Sequence, residues 1–310
     1  MTMAALPLAT AQIVMLGIGL VALAVIALLT VRLVTNAERL RPASRMAITP
    51  WLLAALVIGN LFAARLVWLG QVTPVIAAAL IGAWYCIRRD RPLIAGVLLG
   101  LATVKPQMLF LPALWLLLDR QWTCLLVAGT VALLLAAYPF WINGPVAAIT
   151  GWLHNLSLYQ TVAANQLGDL RVVGLPSFLV AAGLPAISPF VALAAAMVAT
   201  GVLWRVRSRL VPDDILGLLF GLQLGLVYGH DADLIYLAPL IAALWLHVAH
   251  RPTAWAWVGA IIALLFVPNR LMQAAPVPLL AHWLTPTVIA ATVTLLWCSL
   301  RADSSARTDD

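Results

Sequence analysis

The sequence predicts an all-α integral membrane protein, and three observations carry that reading. Of its 310 residues, 64% are hydrophobic and 9% charged, with a mean hydropathy of +1.03. Too few polar side chains remain to clothe a water-soluble domain. Second, most of the charges are arginines gathered in short stretches between apolar runs, the pattern of loops between membrane spans. Inside lipid each run must satisfy its own backbone hydrogen bonds, so the runs read as helices. The third observation is an anomaly: Lys105 stands with Pro106 and Pro112 inside an apolar run over 93–118.

A lysine at bilayer depth costs roughly 2.5 to 3.5 kcal/mol on insertion scales, so something anionic, a carbonyl cluster or a water-filled cavity must receive it. Both ends of the run are basic, with Arg88, Arg89 and Arg91 before it and Arg120 after it. A single kinked helix over 93–118 would be about 39 Å long and could cross a hydrocarbon core of roughly 30 Å. Two half-helices broken at Pro106 would be too short to span, and would enter, turn near Lys105 and return.

Charge distribution over the whole chain decides between them. The apolar runs are 8–31, 47–69, 72–87, 122–141, 188–206, 215–228, 234–248, 254–267 and a last one ending near 300. With a re-entrant half-helix hairpin at 93–118, the arginines of 32–45, 88–91, 120, 205–209, 251 and the tail share the cytoplasmic side. Arg171 and Arg270 are then outside, and Arg65 and Lys105 within the membrane. A single crossing would move Arg120, Arg205, Arg207, Arg209, Arg251, Arg301 and Arg307 outside, against the rule that arginines of short loops stay in the cytoplasm. The expectation is a polytopic bundle of about nine or ten spans: one transmembrane domain over 1–300 and a disordered cytoplasmic tail over 301–310. Residues 142–172 read as a long polar external loop, and 176–187 as a short amphipathic piece. Residues 1–10 lack the basic start of a signal peptide.

A net charge of +7 and pI near 10 would suit nucleic acid in a soluble protein, but here they encode topology, and no nucleic-acid partner is expected. Cys86, Cys124 and Cys298 lie in apolar segments without metal-ligand spacing, so neither a disulfide framework nor a zinc site is expected, nor any cofactor.

The segment RPLIAGVLLGLATVKPQMLFLPALWLLLDRQW over 91–122 resembles the signature segment of glycosyltransferase family 87. There a basic residue and proline, a small-residue half-helix, Lys-Pro-Gln, a leucine-proline half-helix and an Arg/Trp end follow in this order. Three further pieces are similar to family elements: Trp68-Leu69-Gly70-Gln71, GDLRVVGLPSF over 168–178, and YGHDADLIYLAP over 228–239. The likeness spans roughly 8–250. It implies a GT-C-like fold and hexosyl transfer, typically of mannose, from a polyprenyl-phosphate sugar to a lipid or glycan acceptor on the external face of the plasma (inner) membrane, with membrane lipids as surroundings. It also implies an aspartate base in a first external loop. No such loop is found, so the chain is expected to be shortened at its N-terminus relative to the family, and the catalytic base stays unassigned.

Each candidate residue has a bland reading beside the functional one. Lys105 would contact the lipid-linked phosphate, or be a structural lysine solvated by carbonyls. Gln107 would orient it or bond the donor, or cap a half-helix. His230, Asp231 and Asp233 would contact sugar or phosphate, or terminate helices; their spacing permits a metal ligand pair, but no fourth ligand is in view. Gln71 would join the site, or be a turn residue before Pro74. Arg171 would hold phosphate bidentately, or pair with Asp169. Arg65 would snorkel to the external surface or face the cavity. Trp141, Trp152, Tyr159 and Trp283 read as interfacial aromatics. Two other functions compete with the enzyme. A transporter or flippase would also use broken helices, though it should show them paired in two halves. A non-catalytic homologue would keep the donor cavity without the base.

Overall fold

The computed structural model describes residues 7–35, 70–249, 255–267 and 278–306, with isolated positions between 55 and 67 and between 271 and 274. Most of the expected span 47–69 lies outside the described residues, as do Arg39, Arg41, Arg45, Arg65, Arg251, Arg270 and Arg307.

The chain is helical, as its composition requires. The helices are α1 (Leu8–Thr35), α2 (Thr73–Ile87), α3 (Pro92–Ala102), α4 (Phe110–Leu118), α5 (Trp122–Asn143), α6 (Pro145–Thr161), α7 (Leu175–Ala181), α8 (Pro189–Arg205), α9 (Ile215–Leu222), α10 (Ala238–Ala249), α11 (Trp255–Leu265) and α12 (Leu284–Ala306). Proline opens many of them: Pro74, Pro92, Pro145, Pro176 and Pro189 stand in the first turn, where the missing N–H is one that a helix leaves unbonded anyway.

The stretch around Lys105 is two helices, not one. α3 is about 16 Å long and α4 about 14 Å, and the turn Pro106–Met108 separates them. Their directions follow from glycine contacts. A Cβ on Gly96 would fall 2.6 Å from Cys124 O and Val127 Cβ, and one on Gly100 would fall 2.5 Å from Val131 Cβ and 2.9 Å from Ala128 O. Four residues along α3 therefore match about four along α5, and the two helices run the same way. α4, between them in the chain, runs back. Arg91 and Arg120 consequently sit at the same end of the bundle, with Lys105 at the tip of the fold-back. The turns on either side of this hairpin are built alike: Arg91 N bonds Cys86 O at 2.9 Å and Gln121 N bonds Leu116 O at 2.9 Å. Asp90 and Arg120 take the left-handed conformation, at φ 54° and 56°, that closes such a helix end.

The arginine end gathers further partners. Arg88 Nε lies 3.5 Å from Asp213 and Arg207 Nε 3.6 Å from Asp119. Trp204 Nε1 donates to Asp119 at 2.6 Å, and His247 Nε2 is 2.7 Å from Asp214. The buried core lies between the ends, around Leu216, Leu219, Phe220, Leu224, Tyr236 and Leu240.

Several expectations need correction. The long loop 142–172 contains α6, a 17-residue helix whose Val146, Ile149, Leu153 and Leu156 form an exposed apolar stripe. The described residues also carry a two-residue antiparallel ladder, β1 (Val172–Val173) with β2 (Gly229–His230), in register Val172↔His230. Residues 301–306 of the polar tail continue α12, and the rest of the expected disordered tail, 307–310, lies outside the described residues. Trp283 is buried and donates to Leu264 O at 2.9 Å, so it is a core residue and not an interfacial one. Nine or ten spans are not established: among the described residues three helical stretches, Leu8–Leu33, Trp122–Asn143 and Leu284–Arg301, are long and apolar enough to cross a membrane, and the other apolar helices are shorter.

Candidate functional site

Lys105 is held where sequence chemistry puts a break. The residue before a proline is driven out of the helical region; Lys105 has φ −125° and ψ 72°, and its N–H bonds back to Ala102 O at 3.1 Å. Thr103 Oγ1 donates to Gly100 O at 2.6 Å. The lysine side chain thus leaves the hairpin tip and crosses to two other elements. Its Nζ donates to Thr73 Oγ1 at 3.0 Å, at the start of α2, and forms an ion pair with Asp233 Oδ1. Both groups of the pair are withdrawn from solvent, with side chains 16% and 1% exposed. The anion that the sequence demanded for Lys105 comes from 128 residues downstream.

Asp233 is fixed by its own turn. It is the third residue of the 3-10 helix Asp231–Leu237, and its Oδ2 accepts from His230 N at 3.0 Å while the His230 side chain accepts from the Asp233 backbone. This reciprocal cap gives both residues the bland role foreseen for them, in addition to placing them in the site. His230 Nε2 lies 3.0 Å from Tyr159 Oη and 3.1 Å from Tyr228 Oη, and Tyr228 Oη donates to Asn165 O at 3.2 Å. Burial, its largest influence, holds the His230 imidazole below its ordinary value of 6.5, against the opposing pull of Asp233. The same desolvation raises the Tyr159 phenol.

The short ladder brings the other loop to this place. Asp231 N donates to Arg171 O at 2.8 Å, extending the pairing of β1 with β2. Arg171 turns its guanidinium onto Asp169 in a bidentate pair at 2.9 and 3.1 Å, the alternative weighed for it. The hydrogen bond from Arg171 keeps the Asp169 carboxyl below the usual carboxylate range.

These residues enclose a cavity of about 310 Å³ lined by Gln71, Lys105, Tyr159, Ala164, Asn165, Arg171, His230, Asp231, Ala232 and Asp233. Six of the seven residues singled out in the sequence meet there: Gln71, Lys105, Arg171, His230, Asp231 and Asp233. Gln107 does not; it is half-buried on the turn Pro106–Met108, outside the lining. Thr73, Tyr159 and Asn165 were missed as site residues. Tyr159 sits on α6 and Asn165 just beyond it, in a segment read as loop, and no motif spacing marks them. Gly70, beside Gln71, borders a second, more apolar cavity of about 620 Å³ lined by α1 residues including Leu8, Ile13, Met15 and Leu16, and by Val67. Among the described residues no group of three or more His, Cys, Asp or Glu is arranged to hold a metal.

Chemically, the cavity offers two cations, each already facing a carboxylate, the Tyr159 hydroxyl, the amides of Gln71 and Asn165, the His230 imidazole and the carboxylate of Asp231, 2% exposed. Such a set can hold an anion and the hydroxyls of a polar ligand. No curated protein and no solved structure matches the chain. One family model does match, over residues 1–268, which takes in the whole of this cavity. The chain belongs to glycosyltransferase family 87, and so to the membrane glycosyltransferases.

Proposed function

We propose that the chain is a multi-pass hexosyltransferase of the plasma (inner) membrane, with a GT-C-like fold, that moves a hexose, mannose first among them, from a polyprenyl-phosphate donor to a lipid or glycan acceptor outside the cytoplasm. The observation that carries this reading is the meeting of Lys105 and Arg171 in one cavity beside an apolar groove. A phosphate needs the cations, and an isoprenoid tail needs the groove. The positive-inside rule puts the arginine end in the cytoplasm; the hairpin then enters from there, and the Lys105 cavity opens to the other face.

In the transfer the bond between the anomeric carbon and the phosphate oxygen breaks and the acceptor oxygen bonds to that carbon. The leaving phosphate keeps the electron pair, stabilised by Lys105 and Arg171. The acceptor proton passes to a carboxylate, and Asp231 and Asp233 are the two in the lining. Donor phosphate competes with Asp233 for Lys105, so its arrival loosens Asp233 for that task. His230, Tyr159, Asn165 and Gln71 supply hydrogen bonds to the sugar, and Gln107 supports the hairpin tip.

The test is transfer from polyprenyl-phosphate mannose, and from the glucose analogue, by the purified full chain in proteoliposomes. Transfer by the wild type and none by Lys105→Ala is expected; a correctly inserted Lys105→Ala variant with full activity overturns the role. A non-catalytic donor-binding homologue is the second reading, favoured by the engagement of Asp233 with both Lys105 and His230 N. Donor binding without transfer by the wild type would select it.

A further inference from the structure

We propose that the arginine end of the bundle carries a second, separate anion site, which holds the phosphate headgroup of an anionic membrane lipid. Two adjoining cavities lie there, of about 310 and 260 Å³, and they share Arg32, Tyr85 and Arg89. Arg91 completes the first, and Arg88 and Asp213 line the second. Four guanidinium groups therefore face a single carboxylate among the described lining residues, and Arg88 already engages that carboxylate at 3.5 Å. Arg89 lies against the Tyr85 ring, with Cζ 5.3 Å from its centroid, so an aromatic wall orients one of the cations.

The turn that presents these groups leaves its backbone satisfied. Arg88 N, Arg89 N, Asp90 N and Arg91 N all bond to carbonyls of α2, at 2.9 to 3.1 Å. Arg88, Arg89 and Arg91 are exposed, so a ligand from outside can reach their guanidinium groups. Arginine is the side chain suited to such a ligand, because its planar fork matches two phosphate oxygens at once.

The surroundings select a lipid over a free anion. On α1, Val21, Val25 and Leu28 are exposed apolar residues spaced at helical intervals before Arg32, so they form one stripe ending at the cavity. On α3, exposed Leu93, Val97 and Leu101 form a second stripe starting two residues after Arg91. A headgroup in the cavity leaves its acyl chains beside these stripes, whereas inorganic phosphate would gain nothing from them. Basic pockets between helix ends are the places where anionic headgroups are held. This site shares no residue with the Lys105 cavity, and its test does not depend on sugar transfer.

The experiment measures lipid retained by the purified full chain in detergent, by native mass spectrometry, after addition of phosphatidylglycerol or phosphatidylcholine. The wild type should retain phosphatidylglycerol and not phosphatidylcholine. Arg89→Gln/Arg91→Gln should retain at least tenfold less, and Arg209→Gln, at the same end but outside the cavities, should match the wild type. Should the double variant fail to fold, Arg32→Gln, at the end of α1 and away from the turn, carries the same expectation. Equal retention by the cavity variants and the wild type, equal loss in Arg209→Gln, or equal retention of phosphatidylcholine overturns the proposal. Displacement of the lipid by millimolar inorganic phosphate overturns it in favour of a soluble anion.

Discussion

The two ends of the bundle use the same kinds of charged residue to opposite effect. At the arginine end the two arginine–carboxylate pairs are long and wet, unlike the short, inward His247–Asp214 contact: Arg88–Asp213 spans 3.5 Å and Arg207–Asp119 3.6 Å, and both arginines are more than 40% exposed. At the other end Lys105 and Asp233 are withdrawn from solvent together, with Lys105 donating also to Thr73 and Asp233 accepting also from His230 N. Exposed pairs contribute little because water screens them and their side chains lose freedom. A buried pair is different: removal of one partner strands the other in a medium that cannot solvate it. The difference teaches which charged pairs tolerate the loss of a partner and which do not.

Experiments can break that contrast, beginning with the largest effect. Lys105→Ala should destabilise the protein by about 3 to 5 kcal/mol, the usual result of stranding a buried charge, and abolish transfer. Lys105→Met/Asp233→Leu should recover most of that stability, read by thermal unfolding in detergent, and stay inactive. If the double variant regains transfer, the pair is structural only.

The His230 cap makes the same end sensitive to acid. Its imidazole is held below 6.5 by burial, so between that depressed value and 6.5 the unfolded chain binds a proton that the folded protein refuses. Stability therefore rises with pH across this window and is lost on acidification. Protonation would also end the acceptance of Asp233 N–H. His230→Asn keeps a side-chain cap and should flatten this part of the profile; an unchanged slope would assign it to another group.

Thr73→Val removes one acceptor of Lys105 Nζ and leaves Asp233 in place. A loss of about 1 kcal/mol is expected, as for one hydrogen bond to a charged group in a partly open site, with weaker donor binding. Smallest of all, Arg88→Gln and Arg207→Gln should each change stability by less than about 0.5 kcal/mol. A larger loss in either would erase the distinction between the two ends.

Much of this contrast is legible in the chain itself. The sequence predicts the fold-back around Lys105, because one charge, two prolines and arginines at both ends leave a single crossing no acceptable orientation. The geometry of Gly96 and Gly100 against α5 shows the same return. Motif chemistry likewise marks Gln71, Lys105, Arg171, His230, Asp231 and Asp233, since charged and amide groups at apolar helix mouths stand out against their surroundings. Tyr159 and Asn165 do not stand out. An aromatic at a membrane boundary already has an ordinary explanation, and an asparagine in a loop has several.

Local chemistry, then, fixed by itself the elements of this protein: helices where lipid forbids anything else, breaks where proline removes a donor, and a demand for an anion at Lys105. Only the tertiary structure decided what met that demand. Asp233 lies 128 residues away, and no period or spacing encodes a pairing over such a distance. It arises because the β1–β2 ladder and the buried 3-10 turn Asp231–Leu237 pack against the start of α2 and the hairpin tip. Gln107 shows the converse: its neighbour Lys105 reaches the cavity, yet one turn of backbone leaves it outside the lining. Direction in space, set by packing between elements distant in the chain, is what a linear pattern does not contain.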